Sequence, residues 1–295
     1  MIHITLPDGS IKTFETIPTG LDVAQSISEG LARTCVAMEI DGRLVDLYQE
    51  ISRDASVRLI TTKDPEAMDI LRHSAAHVMA QAILRIHKDA HLTIGPVVED
   101  GFYYDIDMGA ISEDDFPRIE EEMRKIVNDR LPIRRKTVSK AEALDFYRSE
   151  PYKLEMIEDL PDGTISFYEQ GEFTDLCRGP HLPHTGFIKA FKLMKTSGAY
   201  WRADQNNAQL KRIYGTAFFD KKDLKKHLEF LEEARKRNHR KLGERLDLFS
   251  FHDEAPGMPF FHAKGMTIWN TLLEYWREAH RRAGYVETKT PIMLN

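Results

Sequence analysis

The sequence predicts an α+β protein of several domains, and three observations lead to this fold class. In residues 1–62, short apolar strands alternate with Asp-Gly turns around one helix. Residues 63–222 mix amphipathic helices with strands. Residues 223–242 are helical and highly charged, and they precede a mixed segment, residues 243–295. At ~150 residues per domain, a chain of 295 residues has room for about two domains of ordinary size.

The composition indicates a globular protein from a reducing compartment. Hydrophobic residues make up 42% of the chain and charged residues 30%, which is enough apolar material for folded cores. The two cysteines, Cys35 and Cys177, lie far apart and form no disulfide framework, so we expect a cytoplasmic protein. The N-terminus does not read as a signal peptide, and no apolar run approaches the ~20 residues of a membrane helix, so no membrane partner is expected.

The net charge of −6 excludes a surface that is positive throughout, but it leaves room for a local patch that binds RNA. Residues 221–245 hold ten lysines and arginines against five acidic residues. A helix with a solvated charged face accounts for this stretch as well as an RNA-binding surface does. Charge alone therefore does not decide whether the protein binds nucleic acid.

The pattern of residues 1–62 predicts a β-grasp domain. The predicted elements are strands at residues 2–6, 11–14, 36–40, 44–47 and 56–61, and a helix at residues 22–27. Turn sequences at Asp8-Gly9 and Asp41-Gly42 join hairpin partners, and Gly30 is the predicted helix stop. This outline resembles the TGS domain, a ubiquitin-like module found in threonyl-tRNA synthetases and some RNA-linked GTPases.

The remainder of the chain is predicted to alternate helices and strands. The predicted helices are residues 66–86, 114–128, 140–148, 222–242 and 265–283. The predicted strands are residues 94–107 with a turn, 164–170, 188–194, 210–218, 245–251 and a final one that starts at Gly284. Residues 174–183 are predicted to be irregular.

Two pairs of side chains in residues 63–222 carry the sharpest chemical signal. His73 and His77 are four residues apart, which places both imidazoles on one face of a helix. Cys177 and His181 follow about a hundred residues later in a predicted loop. The four side chains suit a tetrahedral zinc site, and they equally suit a hydrolytic site with a general base and groups that position water. Each pair alone is also typical of purely structural residues.

Five sequence blocks, taken together, resemble threonyl-tRNA synthetase over the whole chain and in the family's order. The blocks are residues 72–77 (RHSAAH), 94–105 (IGPVVEDGFYYD), 175–181 (DLCRGPH), 198–202 (GAYWR) and 212–217 (RIYGTA). In that family the HxxxH and CxxxH pairs form an editing site, which hydrolyses mischarged seryl-tRNA.

The resemblance implies a set of site residues in this chain. The implied catalytic residues are His73, His77, Cys177, His181, Lys153 and Asp175, and Tyr104 is implied as a wall of the pocket. We expect His73 or Lys153 to position water or ribose, His77 and His181 to orient the site, and Cys177 to shape the pocket. We expect no obligatory zinc, although His73, His77, Cys177 and His181 are the expected ligands if one is bound.

The last segment resembles the start of a class II synthetase catalytic domain. A helix, then Gly284 and Pro291, resemble motif 1, which builds the family's homodimer interface. The family's ATP and Mg²⁺ sites and its threonine-binding zinc would lie beyond residue 295, so we read Asn295 as a cut and expect this segment not to aminoacylate tRNA. The implied partners are tRNA(Thr) and its seryl ester.

Two other functions compete with this one. A free-standing deacylase that acts in trans would have no use for a motif 1 segment. An RNA-binding module without catalysis would have no need for both His and Cys pairs. The sequence therefore favours an editing part of a synthetase.

Overall fold

The structure is a computed structural model, and it describes residues 1–290. The chain divides into two compact units, Met1–Lys225 and Lys226–Asn295. Pro291, the proline of the expected motif 1, lies outside the described residues. No helix in the described part is long and apolar enough to cross a membrane.

The first part of the chain is a β-grasp, as the sequence predicts. Its elements are β1 (Ile2–Thr5), β2 (Ile11–Phe14), α1 (Gly20–Ile27), α2 (Glu29–Ala32), β3 (Cys35–Ile40), β4 (Arg43–Asp46) and β5 (Ala55–Thr61). The sheet order is β2-β1-β5-β3-β4, in which β1 and β5 run parallel and the other neighbours antiparallel. Ile4, Val23, Met38 and Val57 are fully buried between sheet and helix.

One helix boundary in this domain differs from the prediction. Gly30 does not stop the first helix, because that helix ends at Ile27 and a second one, α2, contains Gly30. The reason is local: the Ser28 side chain accepts a hydrogen bond from the Leu31 N–H and starts the new helix. Thr19 and Asp22 form a reciprocal capping box that starts α1 two residues earlier than predicted.

A long helix, α3 (Glu66–Ile86), forms the centre of the next part and has the predicted bounds. The sequence predicts one apolar side, but the helix is buried nearly all round, including Ser74, His77 and Gln81. Because buried polar groups need partners, these side chains must bond to the surrounding elements.

Two sheets and three further helices surround α3. The strands are β6 (His91–Leu92), β7 (Val97–Val98), β8 (Gly101–Asp107), β9 (Ile133–Thr137), β10 (Ser166–Gln170), β11 (Phe173–Leu176), β12 (Ala190–Tyr200) and β13 (Gln209–Phe218). The helices are α4 (Phe116–Asn128), α5 (Lys140–Phe146) and α6 (Pro151–Glu158). One sheet has the order β12-β13-β8-β6, with β7 also on β8, and the other has the order β11-β10-β9.

Three features of this part were not predicted correctly. Strand β9 and helix α6 were missed, and residues 174–176 belong to β11 instead of an irregular segment. Pairing across the sheet explains the strands, because β10 holds both β9 and β11 through antiparallel hydrogen bonds. The loop that carries Cys177 and His181 therefore starts directly at the end of a strand.

The second unit contains α8 (His239–Arg245), β14 (Phe249–Ser250), β15 (Phe260–Phe261) and α9 (Ala263–Arg282), and α7 (Lys221–Lys236) leads into it. The prediction of a single helix over residues 222–242 is wrong, because the helix is interrupted between α7 and α8. Asn238 has a non-helical backbone there, and its side chain caps α8. Residues 285–290 form no strand, since no described strand pairs with them.

Candidate functional site

The four side chains of the HxxxH and CxxxH pairs meet at one point. The Cys177 Sγ lies 3.2 Å from the His73 Nε2 and 3.3 Å from the His181 Nε2. The ring centroids of His73 and His77 each lie 4.2 Å from that of His181. Helix α3 supplies the first pair one turn apart, and the loop after β11 supplies the second.

Ser74 fixes the loop against the helix. Its Oγ lies 3.1 Å from the His181 Nδ1 and accepts a hydrogen bond of 3.0 Å from the Leu182 N–H. Sequence reasoning missed this residue, although it stands inside the conspicuous HSAAH segment. The sequence signal that could have identified it is a polar serine among the apolar positions of the predicted helix.

Asp175 is the shared hydrogen-bond acceptor of a second cluster beside the imidazoles. Its carboxylate accepts hydrogen bonds from the Lys153 Nζ at 2.5 Å and the Tyr104 hydroxyl at 2.6 Å. The His77 Nε2 lies 3.5 Å from the same carboxylate. Lys153 and Asp175 are each only 2% exposed, so their charges are held away from solvent and face each other.

The β-grasp domain reaches the back of the site through Asp46, the last residue of β4. One carboxylate oxygen accepts a hydrogen bond from the His181 N–H at 2.9 Å, and the other accepts one from the Tyr168 hydroxyl at 2.7 Å. The Tyr168 ring packs on the His181 ring at 4.4 Å. Gly179 has a φ of +69°, and a Cβ there would collide with the Tyr168 hydroxyl, so the loop needs glycine at this position.

A cavity of about 900 Å³ opens beside these clusters. Six of the seven residues expected from the sequence line it, namely His73, His77, Tyr104, Lys153, Asp175 and Cys177. His181 is 2% exposed and does not line the cavity, but its ring contacts Cys177, which does. The structure thus brings all seven residues together and separates those that a ligand could touch from one that supports them.

Burial lowers the pKa of each of the three imidazoles. The pKa of His77 falls to about 3, because desolvation outweighs the opposing charge of Asp175. Desolvation also lowers the pKa of His73, against the opposing effects of Asp175 and a hydrogen bond to Pro180. For His181, burial and the two neighbouring histidines lower the pKa well below 6.5. All three rings are therefore neutral at neutral pH.

The other ionisable groups divide into one charged pair and two neutral groups. Burial raises the pKa of Cys177 to about 12, so it is a thiol at neutral pH. Burial also raises the pKa of Tyr104, helped by the adjacent Asp175. Burial alone would raise the pKa of Asp175, but Lys153 and His77 outweigh it, and the carboxylate stays ionised.

The four side chains of the two pairs also fit the geometry of a zinc site. One ligand atom from each of His73, His77, Cys177 and His181 lies within 4.8 Å of all the others. Two imidazole nitrogens stand at 3.2 and 3.3 Å from the sulfur, a little short of the S···N edge of about 3.5 Å in a tetrahedron with Zn–S bonds of about 2.3 Å and Zn–N bonds of about 2.0 Å. The Ser74 hydroxyl on the far nitrogen of His181 has the place of an outer hydrogen-bond partner.

Two domain families match parts of the chain. The TGS domain matches residues 2–61, which is the β-grasp. The threonyl and alanyl tRNA synthetase second additional domain matches residues 165–214, which include Asp175, Cys177 and His181.

Curated relatives match the chain from end to end. A threonine–tRNA ligase of Desulforapulum autotrophicum is 67% identical over 295 residues, which is all of this chain and 46% of the relative. A threonine–tRNA ligase of Desulfatibacillum aliphaticivorans is also 67% identical, with the same coverage. A third from Acetivibrio thermocellus is 51% identical and 47% covered. The chain thus spans about half the length of the curated relatives that it matches.

Proposed function

We propose that this chain, which belongs to the threonyl-tRNA synthetase family, hydrolyses the ester of seryl-tRNA(Thr) at the cavity beside His73 and Cys177. One observation carries the proposal: two neutral imidazoles and a buried Lys153–Asp175 ion pair line a single cavity, and the third imidazole packs against the first two. The match of residues 165–214 to the second additional domain supports it. The whole protein would then ligate threonine to tRNA(Thr) with ATP and use this cavity for proofreading.

The need for a second pocket follows from the small difference between threonine and serine. Serine lacks one methyl group, and a pocket gains only ~1–3 kcal/mol from such a group, which limits discrimination to about 10–200-fold. An aminoacylation site that accepts threonine also accepts the smaller serine. A second cavity that admits serine esters and excludes the bulkier threonine supplies the missing selectivity.

Within the cavity we assign the proton-accepting role to His73. Of the three imidazoles it alone is partly exposed, and it lines the cavity. A neutral imidazole accepts a proton from an attacking water, and such general base catalysis contributes about 10²–10⁴-fold. His77 and His181 are buried, and they hold the orientation of this ring and of the loop.

Lys153 supplies positive charge where the ester oxygen becomes negative. Its ammonium group has three N–H donors. One binds Asp175 at 2.5 Å and a second reaches the Tyr104 hydroxyl at 3.4 Å, which leaves one for a ligand in the cavity. A fixed charge in a site that excludes water stabilises a developing oxyanion strongly.

Cys177 does not act as a nucleophile in this scheme. Attack requires a thiolate, and burial raises the pKa of this thiol to about 12. The tRNA ester is already activated, so water attacks it directly. The sulfur instead fills the space between His73 and His181.

We propose that hydrolysis needs no zinc, although the four residues could hold one. Four protein ligands would complete the coordination shell and leave no position for a reacting water, so a zinc held there would be structural. The test is metal analysis of the purified protein, combined with deacylation after treatment with a chelator. Stoichiometric zinc, with activity lost on chelation and restored by zinc, would contradict this part of the proposal.

The main test is single-turnover hydrolysis of seryl-tRNA(Thr) by the chain and its variants. His73→Ala should lower the rate constant by roughly 10²-fold or more, because it removes the base. His181→Ala should lower it as well, since the contacts of the His181 ring with Ser74 and Cys177 are lost. His3→Ala, an exposed histidine in β1, is the matched control and should leave the rate unchanged.

Circular dichroism separates a lost site from a lost fold. A wild-type rate in His73→Ala would remove that residue from the chemistry, and a collapsed spectrum would show that the histidines serve only the fold. RNA binding without hydrolysis by the wild-type chain would favour a non-catalytic RNA-binding module.

The remaining assignments rest on the family. We propose a TGS domain at residues 1–62, an editing domain at 63–222, a linker at 223–242 and the start of a catalytic domain at 243–295. The family relationship also supports a cytoplasmic homodimer whose interface includes the segment around α9. Exposed apolar side chains on that helix, among them Trp269, Leu272 and Tyr275, agree with such an interface.

A further inference from the structure

Three arginines from separate elements line the cavity at the candidate site: Arg43 at the start of β4, Arg135 in β9 and Arg178 in the loop after β11. All three are exposed. Within residues 1–290 none of them forms an ion pair or a side-chain hydrogen bond. Other arginines of this chain are paired, such as Arg58 with Glu39 and Arg212 with Asp105.

The two acidic side chains that line the cavity are paired with other cations, while the charge of the buried Asp46 offsets part of that of Arg135. Asp159 binds Arg202 at 2.8 Å, and Asp175 binds Lys153 at 2.5 Å. The rim of the cavity therefore carries unbalanced positive charge on a protein whose net charge is −6. Such a local patch attracts anions even when the whole molecule is acidic.

The position of Arg43 depends on the packing of the β-grasp domain. Strand β4 ends at Asp46, which is bonded to the His181 N–H and the Tyr168 hydroxyl. Beside β4, Arg134 stacks on Tyr48, with 3.5 Å between the guanidinium carbon and the ring centroid. These contacts hold β4 at the cavity, so its first residue adds a positive charge from a different domain.

We infer that Arg43, Arg135 and Arg178 form a phosphodiester-binding rim for the single-stranded 3′ end of the RNA whose ester enters the cavity. The inference rests on the proposed function. An ester on a terminal ribose is followed along the RNA by phosphodiester groups, which must lie at the mouth of any cavity that holds the ester. The guanidinium fork matches phosphate oxygens in a bidentate manner, and an arginine without a protein partner is free to make this contact.

The first experiment measures the Kd of deacylated tRNA(Thr) for the chain at several salt concentrations. Each phosphate contact to a single strand contributes about 0.7 to the slope of log K against log salt. We expect the triple variant Arg43→Gln, Arg135→Gln, Arg178→Gln to lose about two units of this slope. Arg33→Gln changes an exposed arginine just after α2, outside the cavity, and should keep the wild-type slope. An unchanged slope in the triple variant would overturn the inference.

The second experiment compares hydrolysis of seryl-tRNA(Thr) with that of seryl-adenosine, which carries the same ester without a phosphate. In the triple variant, kcat/KM should fall at least tenfold more for seryl-tRNA(Thr) than for seryl-adenosine. Equal losses of kcat/KM on both esters would overturn the inference, because they would show that the arginines support the fold of the cavity. If the wild-type chain hydrolyses neither ester while the salt slope still falls in the variant, the proposed hydrolysis fails and the rim stands.

Discussion

At the scale of single residues, the site depends on which groups are charged and which are neutral. Asp175 is the one acceptor that Lys153, Tyr104 and His77 share. It keeps the Lys153 charge in a buried position, where an ammonium without a partner would cost several kcal/mol. The imidazoles beside it stay neutral because burial disfavours their charged forms.

The buried imidazoles predict that the chain loses stability in mild acid. In the folded chain the pKa of His77 is about 3, against an ordinary value of 6.5, and those of His73 and His181 are lowered in the same direction. Below about pH 6.5 the unfolded chain binds protons that the folded chain excludes, so the free energy of unfolding falls there and is fully retained above. From pH 7.5 to 5.5 we expect a loss of about 1.4 kcal/mol from His77, with further losses from His73 and His181, measured by urea unfolding.

A histidine variant checks the origin of this loss. His77→Asn should reduce the pH dependence of the free energy of unfolding by the contribution of one imidazole. His239→Asn, at an exposed position in α8, should leave that dependence unchanged. A free energy of unfolding that stays constant between pH 7.5 and 5.5 would show that these imidazoles are not buried in their neutral form.

Some residues of the site could be predicted from the sequence, and others could not. His73 and His77 stand out because helical spacing alone puts them on one face. Lys153, Asp175 and Tyr104 came only from the family resemblance, since no spacing pattern identifies them as members of a site. Ser74 and Asp46 were missed, because their roles depend on partners 107 and 135 positions away.

At the scale of elements, prediction succeeded where local pattern decides and failed where tertiary pairing decides. Helix α3 was predicted to the residue, because its apolar side is long and regular. Strand β9 was missed because four of its five residues are exposed and three are basic, so it exists through its pairing with β10. The break between α7 and α8 depends on one capping side chain, Asn238.

The loop between β6 and β7 forms a wall of the cavity, and a substitution at its Gly95 tests that wall. A Cβ at this position would lie within 3.0 Å of the Tyr104 ring, which is buried and has no room to move. Gly95→Ala should therefore displace Tyr104, weaken its bond to Asp175 and lower seryl-tRNA hydrolysis by roughly 10-fold or more. The measurement is single-turnover hydrolysis, with circular dichroism to confirm the fold.

Gly109→Ala is the matched control for that variant. Nothing lies within 4 Å of a Cβ at Gly109, so the change should leave hydrolysis at the wild-type rate. If Gly95→Ala retained full activity, Tyr104 would not be a working part of the pocket.

At the scale of the whole molecule, the β-grasp and the part of the chain around α3 share one site within the unit Met1–Lys225. Asp46 from the first part carries hydrogen bonds to Tyr168 and His181 of the second. The arrangement implies that the N-terminal domain contributes to the site, because it holds the loop on which Cys177 and His181 stand.

Asp46→Ala should therefore impair hydrolysis from the neighbouring domain. The variant leaves the His181 N–H and the Tyr168 hydroxyl without their acceptor, at a cost of about 1–3 kcal/mol for each buried group. We expect a lower melting temperature and a hydrolysis rate reduced by roughly 10-fold or more. Glu50→Ala, which removes an exposed carboxylate from the same domain, should change neither quantity. Full activity in Asp46→Ala would mean that the two domains act independently.

The most direct test of the account compares the rates at which the chain hydrolyses seryl-tRNA(Thr) and threonyl-tRNA(Thr). Forcing one extra methyl group into a packed pocket costs ~1–3 kcal/mol, so the seryl ester should be hydrolysed about 5–150 times faster. The measurement is single-turnover hydrolysis of both esters on the same tRNA, with the uncatalysed rates subtracted. A clear preference for the seryl ester that disappears together with activity in His73→Ala is the result we predict. Equal rates on the two esters, or no hydrolysis of either, would contradict the proofreading role of this cavity.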